Sequence, residues 1–309
     1  MNQSYLEIIP GNIKTAELHS YLLSVIAPRP IAFASTINKK GEINLSPFSF
    51  FNVFSANPPI VIFSPSRRVR DNSGKDTLRN VMEIPEVCIN VVNYELTWQM
   101  NLASNEYPTG TNEFIKSGLN SIPSHLIKPP RVQDSPAQIE CKVKEIKPLS
   151  AQAGAGNLII CEVVCLHINK QILGEDGKVD PSKIDLVARM GGDWYCRAAS
   201  PHLFQVEKPS RIPGIGIDVL PAEIKNSPWL SGKYLGMLGN TESLPIISEI
   251  AEFKQNRLPD LIKQNQISGN AKSESQFIQE EIINYLNAGQ KSNAWLLLCA
   301  YYDFYWERN

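Results

Sequence analysis

Between residues 28 and 80 the chain reads PRPIAFAST, then GEINLSPFSFFNVFSANPPIVIFSPS, then RRVRDNSGKDTLRN, and this stretch gathers the side chains suited to holding a phosphorylated aromatic molecule. Such a molecule needs donors for its anion, an apolar slot for its ring and hydrogen-bond partners for the ring's polar edge. Hydroxyls at Ser35, Thr36, Ser46, Ser49, Ser64, Ser66 and Thr77 can donate to phosphate or sugar-alcohol oxygens. Arg67, Arg68, Arg70, Lys75 and Arg79 against Asp71 and Asp76 give residues 64–79 a formal charge of +3 in a chain of net charge −1. A helix opening near Lys75, Asp76 and Thr77 would add free amides and the positive end of its dipole. Singly, these residues are ordinary turn formers and solvated cations. Their clustering beside Pro58-Pro59 and an apolar run is what favours an anion site.

The ring end is read from Asn52, which lies among Phe48, Phe50, Phe51 and Phe54. An amide buried there must find a partner, and a ring edge could be that partner. The phenylalanines themselves fit a packed core as well as a ligand contact. Arg29, between Pro28 and Pro30, is either held extended with its guanidinium aimed or is a surface cation where a strand begins. In Met190-Gly191-Gly192-Asp193-Trp194-Tyr195 the glycines permit close backbone approach to a ring. Trp194 or Tyr195 could stack on such a ring, with core packing the competing reading for one of them.

The elements that must position these residues are short. Thr15 is read as the N-cap of a helix through Val25, with Leu18, Leu22 and Val25 on one face. Val- and Ile-rich runs at 31–35, 60–64, 87–92, 138–146 and 158–168 predict strands. Lys39-Lys40-Gly41 predicts a hairpin turn, Asp76 the cap of a helix through Met82, and residues 96–103 a further helix. Strands grouped so unevenly predict a mainly β fold with α elements, a barrel decorated by helices, not the regular alternation of a doubly wound sheet. Gly154-Ala155-Gly156 precedes a strand and lacks a third glycine, so it is not a dinucleotide fingerprint. Beyond Pro209 the pattern turns helical: 244–263 with a kink at Pro259, 274–286 opened by a Ser273/Gln276 capping box, a stop at Gly289, and 292–308. The chain thus divides into a β-rich domain over 1–209 and a mainly helical extension over 210–309.

Composition narrows the class. With 309 residues and 43% hydrophobic content the chain can bury a core, and its near-neutral charge argues against nucleic-acid or anionic-membrane partners and for a small-molecule substrate. The start MNQSYLEIIPGNIK lacks the pattern of a signal peptide, and no run of 18 apolar residues occurs, so the expected location is cytoplasmic. Six cysteines without a Cys-x-x-Cys pair read as reduced core thiols. Histidines 19, 125, 167 and 202 are scattered and form no metal-ligand spacing, and no Gly-x-Ser-x-Gly elbow is present.

The same segments resemble the flavin reductase-like family of flavoredoxins, ferric reductases and the reductase partners of flavin monooxygenases. The resemblance covers roughly residues 15–209 and is carried by PRPIAFAST, INLSPFSFFNVFSANPPIVIFS, GKDTLRN, NEFIKSGL, AQIECKV, GNLIICEVVCLHI and RMGGDWYCR. It implies a split β-barrel that binds FMN, or sometimes FAD, and a homodimer with cofactor sites near the subunit contact. It implies Arg29, Ser35 and Thr36 along one side of the cofactor, Ser46, Phe48, Ser49 and Asn52 around ring and ribityl chain, and Ser64, Ser66, Lys75, Asp76 and Thr77 at the phosphate. NADH or NADPH would be the electron donor, and a flavin, a ferric chelate or a monooxygenase the acceptor. Two further readings stay open: a flavin-binding carrier or regulatory module without turnover, and a different small-molecule reaction in the same pocket. The last hundred residues depart from the family, many of whose members end near the position of Pro209.

Overall fold

The computed structural model describes residues 4–208, 211–267 and 273–304. The chain forms two compact units that divide after Phe204; the boundary expected at 209 and 210 lies outside the described residues.

The first unit runs α1 (Thr15–Val25), β1 (Ala32–Ile37), β2 (Ile43–Phe48), β3 (Phe51–Ala56), β4 (Pro59–Phe63), α2 (Asp76–Glu83), β5 (Glu86–Asn90), α3 (Thr97–Ala103) and α4 (Glu113–Ser117). It continues through β6 (Ser121–Ile122), β7 (Arg131–Val132), β8 (Ala137–Pro148), β9 (Asn157–Ile168), α5 (Pro181–Ile184), β10 (Leu186–Arg189) and β11 (Tyr195–Ala198). Seven strands form one antiparallel sheet in the order β2-β1-β5-β8-β9-β4-β3. Strands β2 and β3 stand at opposite ends of that order, yet only Ser49 and Phe50 join them. So short a link requires the sheet to curl until its two ends meet, which makes it a barrel with a seam. Phe48 and Phe63 touch near that seam with ring centroids 5.5 Å apart.

Period-two alternation sorts the strand residues. Ala32, Ala34, Val61, Phe63, Val87, Ile89, Cys141, Ile159 and Cys161 fill the barrel together with Leu78 and Val81 of α2. Ile31, Phe33 and Leu45 point the other way, onto Leu96, Met100 and Phe114 of the α3–α4 region. The predicted strands are all present, but β2 and β3 were not anticipated as strands. Helix α1 spans the expected residues, but Thr15 is its first helical residue and not its N-cap, a position taken by Lys14 without a side-chain cap bond, and none of its residues is buried.

On β8, Glu140 is fully enclosed and accepts from the amides of His125 and Leu126, each at 2.7 Å. His167 Nε2 lies 2.6 Å from the same carboxylate. These contacts pin the segment whose Pro130 carbonyl accepts from the Ser35 hydroxyl. Burial pushes the Glu140 pKa up, but the two amides and His167 outweigh it and hold the carboxyl below the usual glutamate range.

The second unit contains α6 (Ala222–Lys225), α7 (Gly232–Gly239), α8 (Ile247–Asn256), α9 (Leu258–Ile267), α10 (Glu274–Asn287) and α11 (Lys291–Tyr302). Its core gathers Leu238, Ile250, Ile278, Ile282 and Leu286 around fully buried Trp295, whose Nε1 donates to the Leu238 carbonyl. The Ser273/Gln276 capping box forms as predicted. Residues 244–263 are two helices, not one kinked helix, because the chain breaks at Arg257 ahead of Pro259. The last helix stops at Tyr302, where Asp303 adopts φ +56°, short of the expected end at 308; residues 305–309 lie outside the described residues.

Phe63→Ala should destabilise the first unit by about 3–5 kcal/mol in urea unfolding, because it empties the barrel beside the seam. A change below about 1 kcal/mol would show that the barrel interior does not depend on this ring. The folded pKa of Glu140 being depressed, its stabilisation is present above the ordinary value of about 4.3 and is lost as pH falls below it. Glu140→Gln should therefore cost about 2–4 kcal/mol near neutral pH and flatten the acid limb of the stability profile. An unchanged acid limb would contradict the assignment.

Candidate functional site

Two buried hydrogen bonds fix the first turn of α2 to the sheet. Asn44 Nδ2 on β2 donates to Thr77 Oγ1 at 2.9 Å, and Asn80 Nδ2 donates to Thr36 Oγ1 on β1 at 3.1 Å. Thr36 pairs with Asn44 in the β1–β2 ladder, so the four side chains form one polar layer. Lys75 is the N-cap residue and no side chain caps the helix; its carbonyl accepts from the Leu78 and Arg79 amides, which leaves those of Asp76 and Thr77 without intrahelical acceptors. Asp76 is therefore not the cap that its position suggests. It is the first helical residue, and its carboxylate pairs with Arg79.

The preceding loop is braced from three directions. The Arg67 amide donates to the Ala155 carbonyl at 2.8 Å, Asn157 Nδ2 to the Pro65 carbonyl at 3.0 Å, and Asn72 Nδ2 to the Ala151 carbonyl at 3.0 Å. Arg67 closes on Asn72, while Arg68 donates to Ser73, Gly74 and Glu106. Arg70 meets Asp71 and Glu106. The Ser73 hydroxyl and amide hold the Asp71 carboxyl down at about 2, and the Arg68 hydrogen bond leads the depression of Glu106. Five cations thus face three carboxylates, the third of which, Glu106, comes from outside the motif. Lys75 has the longest of these ionic contacts, 3.5 Å to Glu106, and is the cation least committed to holding the loop.

Ser64 Oγ is sealed from solvent and has no hydrogen-bond partner among the described residues. A Cβ at Gly156 would lie 2.7 Å from it, so glycine is required where the β8–β9 turn crosses Ser64. Uncapped helix amides, a weakly committed Lys75 and the Ser66 hydroxyl are a donor set that fits a phosphomonoester. On β2, Asn44 contacts Thr77 and Phe48 enters the barrel core, so alternation places Ser46 between them on the same face. Four residues of strand span about 13 Å, the scale of a mononucleotide. At the far end Arg29, only 7% exposed, donates to Ser49 Oγ at 3.4 Å and to the carbonyls of Leu23, Ile26 and Met190. Its guanidinium is a clamp between α1, the β2–β3 corner and the segment after β10, not a surface cation.

Other expected site residues lie apart. Ser35 and Thr36 face opposite sides of β1, because Ser35 bonds to Pro130 and Thr36 to Asn80. Asn52 is exposed on the edge strand β3 and accepts from the Val53 amide, so the premise of a buried amide needing a ring edge does not hold. Trp194 is 77% exposed, and Tyr195 packs against the outer core under Arg189. Gly191 makes room for α1 instead of a ring: a Cβ there would sit 2.4 Å from Ser24 Oγ.

A cleft of about 770 Å³ opens between Leu78 and Met82 of α2 and Val143 and Ile146 of β8, and touches the phosphate loop at Arg67. One histidine does meet other potential metal ligands across β8 and β9: Glu140, Cys165 and His167 converge, with Cys165 Sγ 3.5 Å from His167 Nε2. The 2.6 Å between Glu140 and His167 is hydrogen-bond spacing, shorter than the roughly 3.3 Å between two ligands on a tetrahedral zinc. Sequence reasoning missed Asn44, Asn80 and Glu106, the residues that orient the site. Only Asn80, one helical turn from Thr77, carried a local signal.

Comparison with known proteins gives the same picture. The flavin reductase like domain model matches residues 25–182. An uncharacterized protein of Aquifex aeolicus is 35% identical over 181 residues, covering 59% of this chain and 90% of its own length. One from Halalkalibacterium halodurans is 31% identical over 207 residues, covering 66% and 97%. Among solved structures, nitrilotriacetate monooxygenase component B from Bacillus cereus is similar with a TM-score of 0.62 at 26% identity, over 66% of this chain and 100% of that one. A Shewanella frigidimarina protein described as having a split barrel domain shares the fold, with a TM-score of 0.55 at 24% identity over 64% and 95%. The seamed sheet, the braced cationic loop and these matches together place the chain in the flavin reductase-like family, with a split-barrel fold.

Proposed function

We propose that this chain is an FMN-binding oxidoreductase, with FAD as the alternative flavin, that takes hydride from NADH or NADPH and passes electrons to a second flavin, a ferric chelate or a partner such as a monooxygenase. The observation that supports it most is the uncapped start of α2, held against β1 and β2 beside Lys75. Lys75, Ser66 and the Asp76 and Thr77 amides would hold the phosphate, and Ser46 lies on the path toward the corner fixed by Arg29 and Ser49. When bound, a flavin supplies hydride acceptance and electron release through its own ring chemistry. The protein's share is position and electrostatics, so an acid–base pair is not required.

A homodimer is supported by apolar surface on neighbouring parts of the first unit. Val53 and Phe54 on the edge strand are 67% and 63% exposed, and Val25 and Ile26 at the end of α1 are 75% and 61% exposed. A cytoplasmic setting is supported by the reduced core thiols of Cys88, Cys141 and Cys161, the last pushed up by burial to about 12. Among the described residues no helix is long and apolar enough to cross a membrane.

The combined Lys75→Ala and Ser66→Ala substitutions should weaken FMN binding about 10- to 100-fold in fluorescence titration while leaving the unfolding curve unchanged, because neither side chain supports α2. Undiminished affinity would remove the phosphate assignment. In anaerobic stopped-flow mixing, holoprotein should bleach at the flavin absorbance with NADH or NADPH. Absorbance unmoved by either donor would favour a flavin-binding module without turnover.

A further inference from the structure

A second recess in the first unit, of about 370 Å³, is independent of the cationic loop. Alternation along the β10–β11 hairpin, whose register pairs Arg189 with Tyr195 and Val187 with Arg197, turns these four side chains to one face. That face meets Tyr94 and Trp98 near the start of α3. Tyr94 and Trp98 pack edge to face at 5.1 Å, the Arg197 guanidinium lies 3.9 Å from the Tyr94 ring centre, and the Arg189 guanidinium lies 4.7 Å from that of Tyr195. Aromatic rings and guanidinium groups therefore make the walls.

The two arginines of the recess are not paired alike. Arg197 is matched by Asp185 through a two-pronged contact at 2.7 and 2.8 Å. Arg29 and Arg189 are joined as a backbone bridge, and among the described residues neither forms an ion pair with a carboxylate. Arg29 spends its donors on carbonyls, and burial, followed by the charge of Arg189, pushes its pKa down. At the recess itself Arg197 faces Asp185 and feels the charge of Glu95, while Arg189 shares the wall with the exposed Asp193 of the turn and makes no ion pair with it. Stacking on Tyr195 occupies one face of Arg189, and Nη1 donates to the Trp194 carbonyl at 3.4 Å, which leaves the rest of the guanidinium edge to donate to a ligand.

We infer that this recess binds a planar aromatic anion, its ring against Trp98 and its negative group on Arg189. A cation is disfavoured by the arginines, and an aliphatic acid would leave the aromatic walls unused. The volume is at the low end for ligand pockets and suits one ring system with its anionic substituent, not a whole dinucleotide. That chemistry has two sources, an aromatic carboxylate or the base and phosphate of a mononucleotide.

The test is calorimetric titration of the full chain, as isolated and after flavin removal, with benzoate and separately with adenosine 5′-monophosphate. Benzamide, which keeps the ring without the charge, and cyclohexanecarboxylate, which keeps the charge without the aromatic face, are the controls. At least one anion should bind wild type with or without flavin, and both controls should bind about tenfold more weakly or not at all. Trp98→Ala and Arg189→Gln should each weaken binding about tenfold and leave flavin content unchanged. If Arg189→Gln fails to fold, Trp98→Ala and the two controls still decide. Binding of neither anion, controls that bind as well as the anions, or affinities untouched by Trp98→Ala would overturn the assignment, and none of these results bears on the flavin site.

Discussion

The site rests on a polar layer of four side chains, Thr36, Asn44, Thr77 and Asn80, buried between α2 and the end of the β1–β2 hairpin. Each bond joins an amide to a threonine hydroxyl, so loss of either member leaves the other enclosed and unpaired, which costs more than the bond itself contributes. These bonds fix which way α2 points its first turn. Everything proposed for the phosphate end follows from that direction, because helix amides act over only about one turn.

A second constraint is the two-residue link at Ser49 and Phe50. It forces the sheet to close, and closure brings the strand that carries Asn44 and Ser46 beside the strand ending at Phe63 and Ser64. The same corner is locked by Arg29, whose donors reach Ser49, the end of α1 and Met190. Burial, followed by the charge of Arg189, pushes the Arg29 pKa down, which links the corner electrostatically to the second recess.

Much of the barrel is legible in the sequence because β5, β8 and β9 are Val- and Ile-rich runs whose inward faces are apolar. Strand β2 is not, since INLSPF places Asn44 and Ser46 on its inward face, where a strand pattern calls for apolar residues. Those polar positions are the ones that orient α2, so the pattern fails where the site is built. Strand β3 is hidden for another reason: it is an edge strand with Asn52, Val53 and Phe54 all exposed, so alternation has no burial to report. The cationic loop was visible as a charge cluster, but its neutralisation by Glu106 depends on a carboxylate far along the chain. In the helical unit, the capping box at Ser273 and the stop at Gly289 are local devices and were readable as such.

The most direct test of the central claim compares the affinities of flavin-free protein for FMN and for riboflavin, which differ only in the phosphate. Seating of the phosphate at the Lys75 turn predicts that riboflavin binds about 100-fold more weakly, and that added salt narrows the gap. Equal affinities for the two would contradict a phosphate seat at the start of α2.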